Sequence, residues 1–369
     1  MTALAISVFQ PLPSPANASG FSLIENGWED RIRAAIFKVA DTDFEEGLAM
    51  IGEYISAFPE NPGGYFFYAA GVQEKIQKHN DLGELKRFYK YAEKCKEICE
   101  KILKRKPGDV RARFFLGGIH GYIGLLEAKQ RNLFRAFING IEAKKHLEWV
   151  VRKKPDLPDT YFGLGMLYYF SSRKGDEGGR LVSWIIRKFI THGKNMKRDG
   201  VEMIKRAVMN NALSSDYALA GLMWIHLYER EYDSAEQIAE TMARRFTRDF
   251  ASRWVLGRVA LIKGDCAGAR ARFREILEIS ARQGIPLSRY PDIPMAIKMA
   301  DLCQAMRDKK WDEARRLNEE IGRWLDDDPK VSIEYQDEKN VIEFWKQEND
   351  RIRKKLRFIA ERRSSRSDL

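Results

Sequence analysis

The chain has 369 residues, with 64 Lys and Arg against 53 Asp and Glu, a formal net charge of +11. A 44% apolar fraction excludes a disordered chain, and four cysteines exclude a disulfide scaffold. No run reaches about 18 uninterrupted apolar residues, which excludes a membrane-spanning helix and leaves two or three ordinary domains or one elongated array.

Residues 1–24 read as a leader. Ala3–Phe9 is a short apolar run, and Ala16-Asn17-Ala18 fits the small-x-small pattern of a signal-peptidase site. No Lys or Arg precedes Phe9, so the basic region that opens a secretory signal is missing. Two readings stay open. One is an incomplete export signal, which favours a periplasmic or exported protein. The other is a Pro/Ser-rich leader on a cytoplasmic one.

The array itself is expected over 25–330. Helical pairs are predicted at about 28–62, 63–108, 109–156, 157–213, 215–248, 249–284 and 293–328, and no run alternates as a strand would. Pro59, Pro107 and Pro155 are each 48 residues apart, and each stops an amphipathic helix because proline cannot continue the hydrogen-bond ladder. Gly71, Gly118 and Gly165 follow as small residues in the next helix. Gly47, Cys95 and Ala143 precede each proline by 12 residues.

Between Tyr169 and Gly200 the connection is long and carries the apolar insert Leu181–Ile190. Its residues Leu181, Trp184, Ile185 and Phe189 are expected either to cover the array's inner face as a lid or to meet a membrane surface. Further on the beat shortens. Tyr232-Asp-Ser-Ala235 recurs as Cys266-Ala-Gly-Ala269, displaced by 34 residues, and Leu222 maps onto Leu256 by the same step. Looser copies lie at Asp43-Phe44-Glu45-Glu46-Gly47 and Lys310-Trp311-Asp312-Glu313-Ala314. Pro286, Pro291 and Pro294 mark a loop before the last pair. Residues 331–369 are expected to form a basic capping helix and tail.

The order Trp254, Leu256-Gly257, Gly264-Asp265, Ala269, Phe273 and Ile276-Leu277 resembles the tetratricopeptide repeat (TPR), whose 34-residue unit is a helix–turn–helix. The 48-residue beat fits such a unit with each helix lengthened by about two turns. The segments Phe114–Leu126, Lys145–Trp149 and Asp159–Tyr169 are similar to a bacterial branch related to the tetratricopeptide-repeat-39 and inclusion-body-clearance proteins. The resemblance implies an all-α, TPR-like helical-repeat solenoid, a superhelix of antiparallel helix pairs that serves as a scaffold without an established enzymatic activity. It places a groove along the first helix of each pair: Tyr65, Tyr68, Phe115, Tyr122, Phe162, Met166, Tyr169, Trp224, Trp254 and Arg258. A face so aromatic calls for an apolar occupant, since a groove for acidic tails would carry Lys, Arg and Asn.

Catalytic patterns are missing. There is no GxxxxGK[ST] phosphate loop, and Gly175–Gly179 lacks the strand–turn–helix setting. None of His79, His120, His146, His192 and His226 sits in HExxH or at metal spacing. Cys95 and Cys99 share a helix face and read as small core positions rather than a metal half-site. Cys266 and Cys303 have no near partner, so a distant pairing stays open if the protein is exported. No cofactor, metal or small-molecule substrate is expected.

Basic residues cluster at Lys129–Lys154, Arg173–Arg206 and Lys346–Arg366. A solvated outer face ranks first, an anionic lipid surface or acidic protein second, and nucleic acid last. The expected partner is therefore a protein held in the groove, with a lipid surface as the alternative.

Overall fold

The computed structural model describes residues 21–177, 180–290, 292–326, 346–347 and 349–359, and for 176, 177, 180–183 and 185 the backbone alone. Residues 1–20 of the leader and most of the expected capping segment lie outside this set. The described chain is all-helical, with no strand.

The described residues include, in order, α1 (Glu29–Ala40), α2 (Phe44–Ala57), α3 (Pro62–His79), α4 (Leu85–Arg105), α5 (Val110–Lys129), α6 (Leu133–Lys153), α7 (Asp159–Glu177), α8 (Arg180–Phe189), α9 (Lys197–Met209), α10 (Ser215–Tyr228), α11 (Tyr232–Arg245), α12 (Ala251–Lys263), α13 (Cys266–Arg282), α14 (Asp292–Arg307) and α15 (Trp311–Asp326), and 349–359 is helical as well. Neighbours pack on one another, α5 on α6 and α7 on α9 most extensively. The helix α8 is the insert and lies against α7.

The two spacings read from the sequence return as backbone geometry. Helices α2, α4 and α6 end at Ala57, Arg105 and Lys153, each 48 residues after the last. Their cap residues Phe58, Lys106 and Lys154 share one non-helical conformation, with φ of −134°, −134° and −139°. Each cap N–H donates back to a carbonyl four residues earlier, Tyr54, Ile102 and Val150. The following proline explains the shared shape, because its ring drives the preceding residue out of the helical region. The 34-residue step separates the starts of α11 and α13 at Tyr232 and Cys266.

Close helix crossings depend on small residues. A methyl added at Gly165 of α7 would come 2.6 Å from the Gly200 carbonyl of α9, and one at Gly200 would come 2.6 Å from the Gly165 carbonyl. The two backbones therefore touch, which any larger residue would prevent. At Gly257 of α12 the same addition would meet the Phe273 ring of α13 at 2.6 Å.

The chain divides into two compact units. The first comprises the chain up to Glu74 with Gly83–Leu222, and the second comprises Lys75–Leu82 with the chain from Met223. The core of the first is built on Ile36, Leu48, Tyr54, Phe88, Phe115, Ile119 and Tyr169. The second is built on Trp254, Phe250, Phe273, Ile276, Tyr290 and Leu302, and holds a buried ion pair between Lys78 and Asp249 at 2.9 Å. Asp249 also accepts from the Ser252 backbone and hydroxyl, so both charges are satisfied. A disulfide joins Cys266, at the start of α13, to Cys303 of α14. Cys95 and Cys99 are free, buried on α4, and burial pushes the Cys99 thiol well above its usual pKa. Both fill core space as small apolar groups.

Candidate functional site

Helical spacing decides which ring of each first helix turns inward and which packs behind it. Of the ten residues expected to line a groove, six are buried. Tyr68 stacks on Tyr91 at 3.8 Å and accepts from Arg87 Nε at 3.0 Å. Phe115 joins a cluster with Phe66, Phe67 and Phe114. Tyr169 is 1% exposed. In the second unit, Trp224 and Trp254 lie 5.9 Å apart, with the Arg258 guanidinium 5.2 Å over the Trp254 ring. These six are interior packing, and Arg258 caps an aromatic stack rather than standing free.

Tyr65, Tyr122, Phe162 and Met166 are half-buried, all in the first unit. They come from the corresponding helices α3, α5 and α7. Tyr65 packs 6.3 Å from Tyr91, and Tyr122 lies 5.7 Å from Phe66. Phe162 and Met166 face α10 at Gly221, where an added methyl would meet Met166 Sδ at 3.0 Å and Phe162 at 3.7 Å.

One residue missing from the expected groove joins them. Tyr217 of α10 is half-buried, one turn before Gly221. It shares a local electrostatic environment with Tyr122 and with Glu74 of α3. Desolvation first, then the Glu74 charge, raises the pKa of both hydroxyls well above the ordinary tyrosine value. Both therefore stay neutral and can donate hydrogen bonds. Neither has a hydrogen-bond partner among the described residues. Gln73, which precedes Glu74 on α3, is 3% exposed, and its amide nitrogen is unpartnered among the described residues. The wall thus combines partly exposed rings with tyrosine hydroxyls that have no partner among the described residues. A buried amide in that condition is costly unless water or a ligand completes it. Tyr217 was legible in principle, since Tyr217, Gly221 and Trp224 fall on one helical face.

The insert α8 packs on α7. Trp184 is 54% and Phe189 43% exposed, while the Leu181 and Ile185 side chains lie outside the described residues. Ile186 lies over Gly175 of α7, and the Phe189 ring meets Phe137 of α6 at 5.8 Å.

His146 is buried, its ring stacked 6.4 Å from His120, which shares a 2.7 Å hydrogen bond with Asn139. Among the described residues no group of three His, Cys, Asp or Glu could hold a metal, and no helix is long and apolar enough to cross a membrane. Comparison with protein-family models and with curated proteins found no match to this chain.

Proposed function

We propose that the protein is a non-enzymatic binding scaffold, a helical-repeat array in the tetratricopeptide manner that holds a segment of a partner protein. The observation that carries this reading is the wall of Tyr122 and Tyr217 near Glu74, continued by Phe162 and Met166. Its rings are partly exposed, and its hydroxyls are neutral donors without a hydrogen-bond partner among the described residues. Such a surface suits a peptide segment with apolar side chains and backbone carbonyls: rings supply contact area, and donors satisfy the carbonyls. Phe162 and Met166 extend it along α7, and Met adapts its shape to varied side chains.

Affinity purification from the native source, followed by mass spectrometry, tests the reading. Wild type should retain one protein reproducibly. The pair Tyr122→Ala and Phe162→Ala should lower its retention by about 30-fold, the equivalent of ~2 kcal/mol for lost aromatic anchors. An unchanged melting temperature would show that the wall and not the fold was altered. Equal recovery by the variant, or no protein retained by wild type, would sink the proposal.

A further inference from the structure

Exposed large apolar side chains are concentrated at one place. Leu133, Phe134 and Ile138 on the first turns of α6 are 65%, 76% and 44% exposed, and Trp184 and Phe189 of α8 accompany them. On α6 the positions 133, 134, 137 and 138 fall within one arc, since successive residues turn by about 100°. The Phe137–Phe189 ring contact joins that arc to α8. A second tie runs from Lys144 of α6 to His192, just past α8, with 2.8 Å between their nitrogens. The two helices therefore present a single apolar surface within the first unit. Singly exposed apolar residues are ordinary, whereas a contiguous group of five large ones marks an interaction surface.

Charge says what that surface meets. Residues 128–141 and 180–198 contain nine Lys or Arg and no Asp or Glu. Arg131, Arg135, Arg187 and Lys188 are all exposed. Of the acids that flank these segments, Glu127 is 1% exposed and turned inward, where it accepts from Tyr89 and Asn132 and pairs with Arg135; Glu142 is held by Lys145, and Asp199 is exposed on α9. The Lys188 ammonium lies 4.8 Å over the Trp184 ring and 5.4 Å over that of Phe189, so its stem runs beside the rings. A protein interface of this size would ordinarily interleave both signs of charge around its apolar centre. Aromatic and aliphatic groups flanked by an excess of cations match the boundary of an anionic bilayer. There the rings sit at the level of the headgroups and the cations reach phosphate. The helix α8 is also the most strongly amphipathic of the described helices, the form that lies flat in such an interface.

We infer that the α6–α8 face docks on an anionic lipid surface, with Phe134, Trp184 and Phe189 inserted and Arg131 and Lys188 on lipid phosphates. The protein lies on the membrane without crossing it. This rests on observations separate from the Tyr122 wall, so either proposal can fail alone.

Flotation of the full chain tests it, with vesicles of phosphatidylcholine alone and of equal parts phosphatidylcholine and phosphatidylglycerol. Wild type should float with the mixed vesicles, stay behind with the neutral ones, and release as salt shortens the screening length to about 3 Å near 1 M. Phe134→Glu with Trp184→Glu should lower the floating fraction about tenfold or more, the scale expected for losing two inserted rings. Both positions are exposed, so folding should survive, which a melting curve checks. Met209→Glu, exposed on α9 and outside the patch, should float as wild type does. No flotation of wild type, or equal flotation of the double variant, overturns the proposal. So does a wild-type chain that fails to float but elutes as a dimer which the double variant converts to monomer, for then a second copy covers the face.

Discussion

At the scale of single residues, the buried histidines couple stability to pH. His146 on α6 is 6% exposed, and burial lowers its pKa from 6.5 to about 4. Lys145 and Arg113 push in the same direction, while Glu142 opposes them. His79, at the end of α3, is also lowered to about 4, by burial and by the neighbouring Lys75 and Lys78. Between the ordinary histidine pKa and about 4, the unfolded chain binds protons that the folded chain refuses. Stability therefore rises with pH through that window and is lost as pH falls through it. Each group contributes at most about 3 kcal/mol, less where water reaches the ring. We expect the denaturation midpoint to fall as pH is lowered from 6.5 to 4, beyond any loss from carboxylates titrating at the lower end. His146→Gln should flatten that slope, measured as urea midpoints across the range. A slope identical to wild type would show that His146 titrates normally.

At the scale of elements, most pairs turn on one residue with left-handed backbone. It is Thr42 between α1 and α2, Arg131 between α5 and α6, Arg230 between α10 and α11, Gly264 between α12 and α13, and Lys309 between α14 and α15. Their φ values run from 58° to 79°, a region that costs an L-residue about 1–2 kcal/mol and glycine almost nothing. Lys309 is exposed, so Lys309→Gly should raise stability by ~0.5–1 kcal/mol after the greater freedom of the unfolded glycine is subtracted. A thermal melt checks this, and a lower melting temperature would contradict it. The same turns explain what the sequence made legible. Prolines and small residues were readable because they act by sterics at fixed positions. Hence the helix ends at 57, 105 and 153 and the close approaches at Gly47, Gly165 and Gly257 were visible in advance. Only the Gly264 turn carried a residue type that announces its conformation. The groove was less legible, because an aromatic side chain can fill a core as readily as line a wall. Phe115, Trp224 and Trp254 did the former, and Tyr122 and Phe162 retain partial exposure. Tyr217 was missed because the repeat register pointed two turns further, to Trp224. The apolar side of α6 was missed too, since Leu133 and Phe134 resemble ordinary core positions until the neighbouring helices are in place.

At the scale of the whole molecule, the four cysteines divide into two chemically distinct pairs. Cys95 and Cys99 lie four residues apart on one helix, buried and reduced, while Cys266 and Cys303 are joined across α13 and α14. Sequence spacing could not pair the latter two, because 37 residues of chain separate them and only the stacking of α14 on α13 brings them together. A bond of this kind persists in an oxidising compartment and is rarely kept in a reducing one. This favours the exported reading of the two that the leader left open. Closing a loop of that length restricts the unfolded chain by about 4 kcal/mol on the entropic account, and engineered examples often give less. Protein made in an oxidising compartment should therefore show two titratable thiols when denatured without reductant and four after reduction. Cys303→Ser should lower stability by ~2–4 kcal/mol, and reductant should then have no further effect on its melt. Four thiols in the unreduced denatured protein would remove the disulfide, and with it the structural argument for export. If two thiols are found but Cys303→Ser melts as wild type does, the bond exists without strengthening the fold. The α13–α14 stacking, supported by Phe273, Ile276 and Met299 in the surrounding core, would then hold that pair unaided.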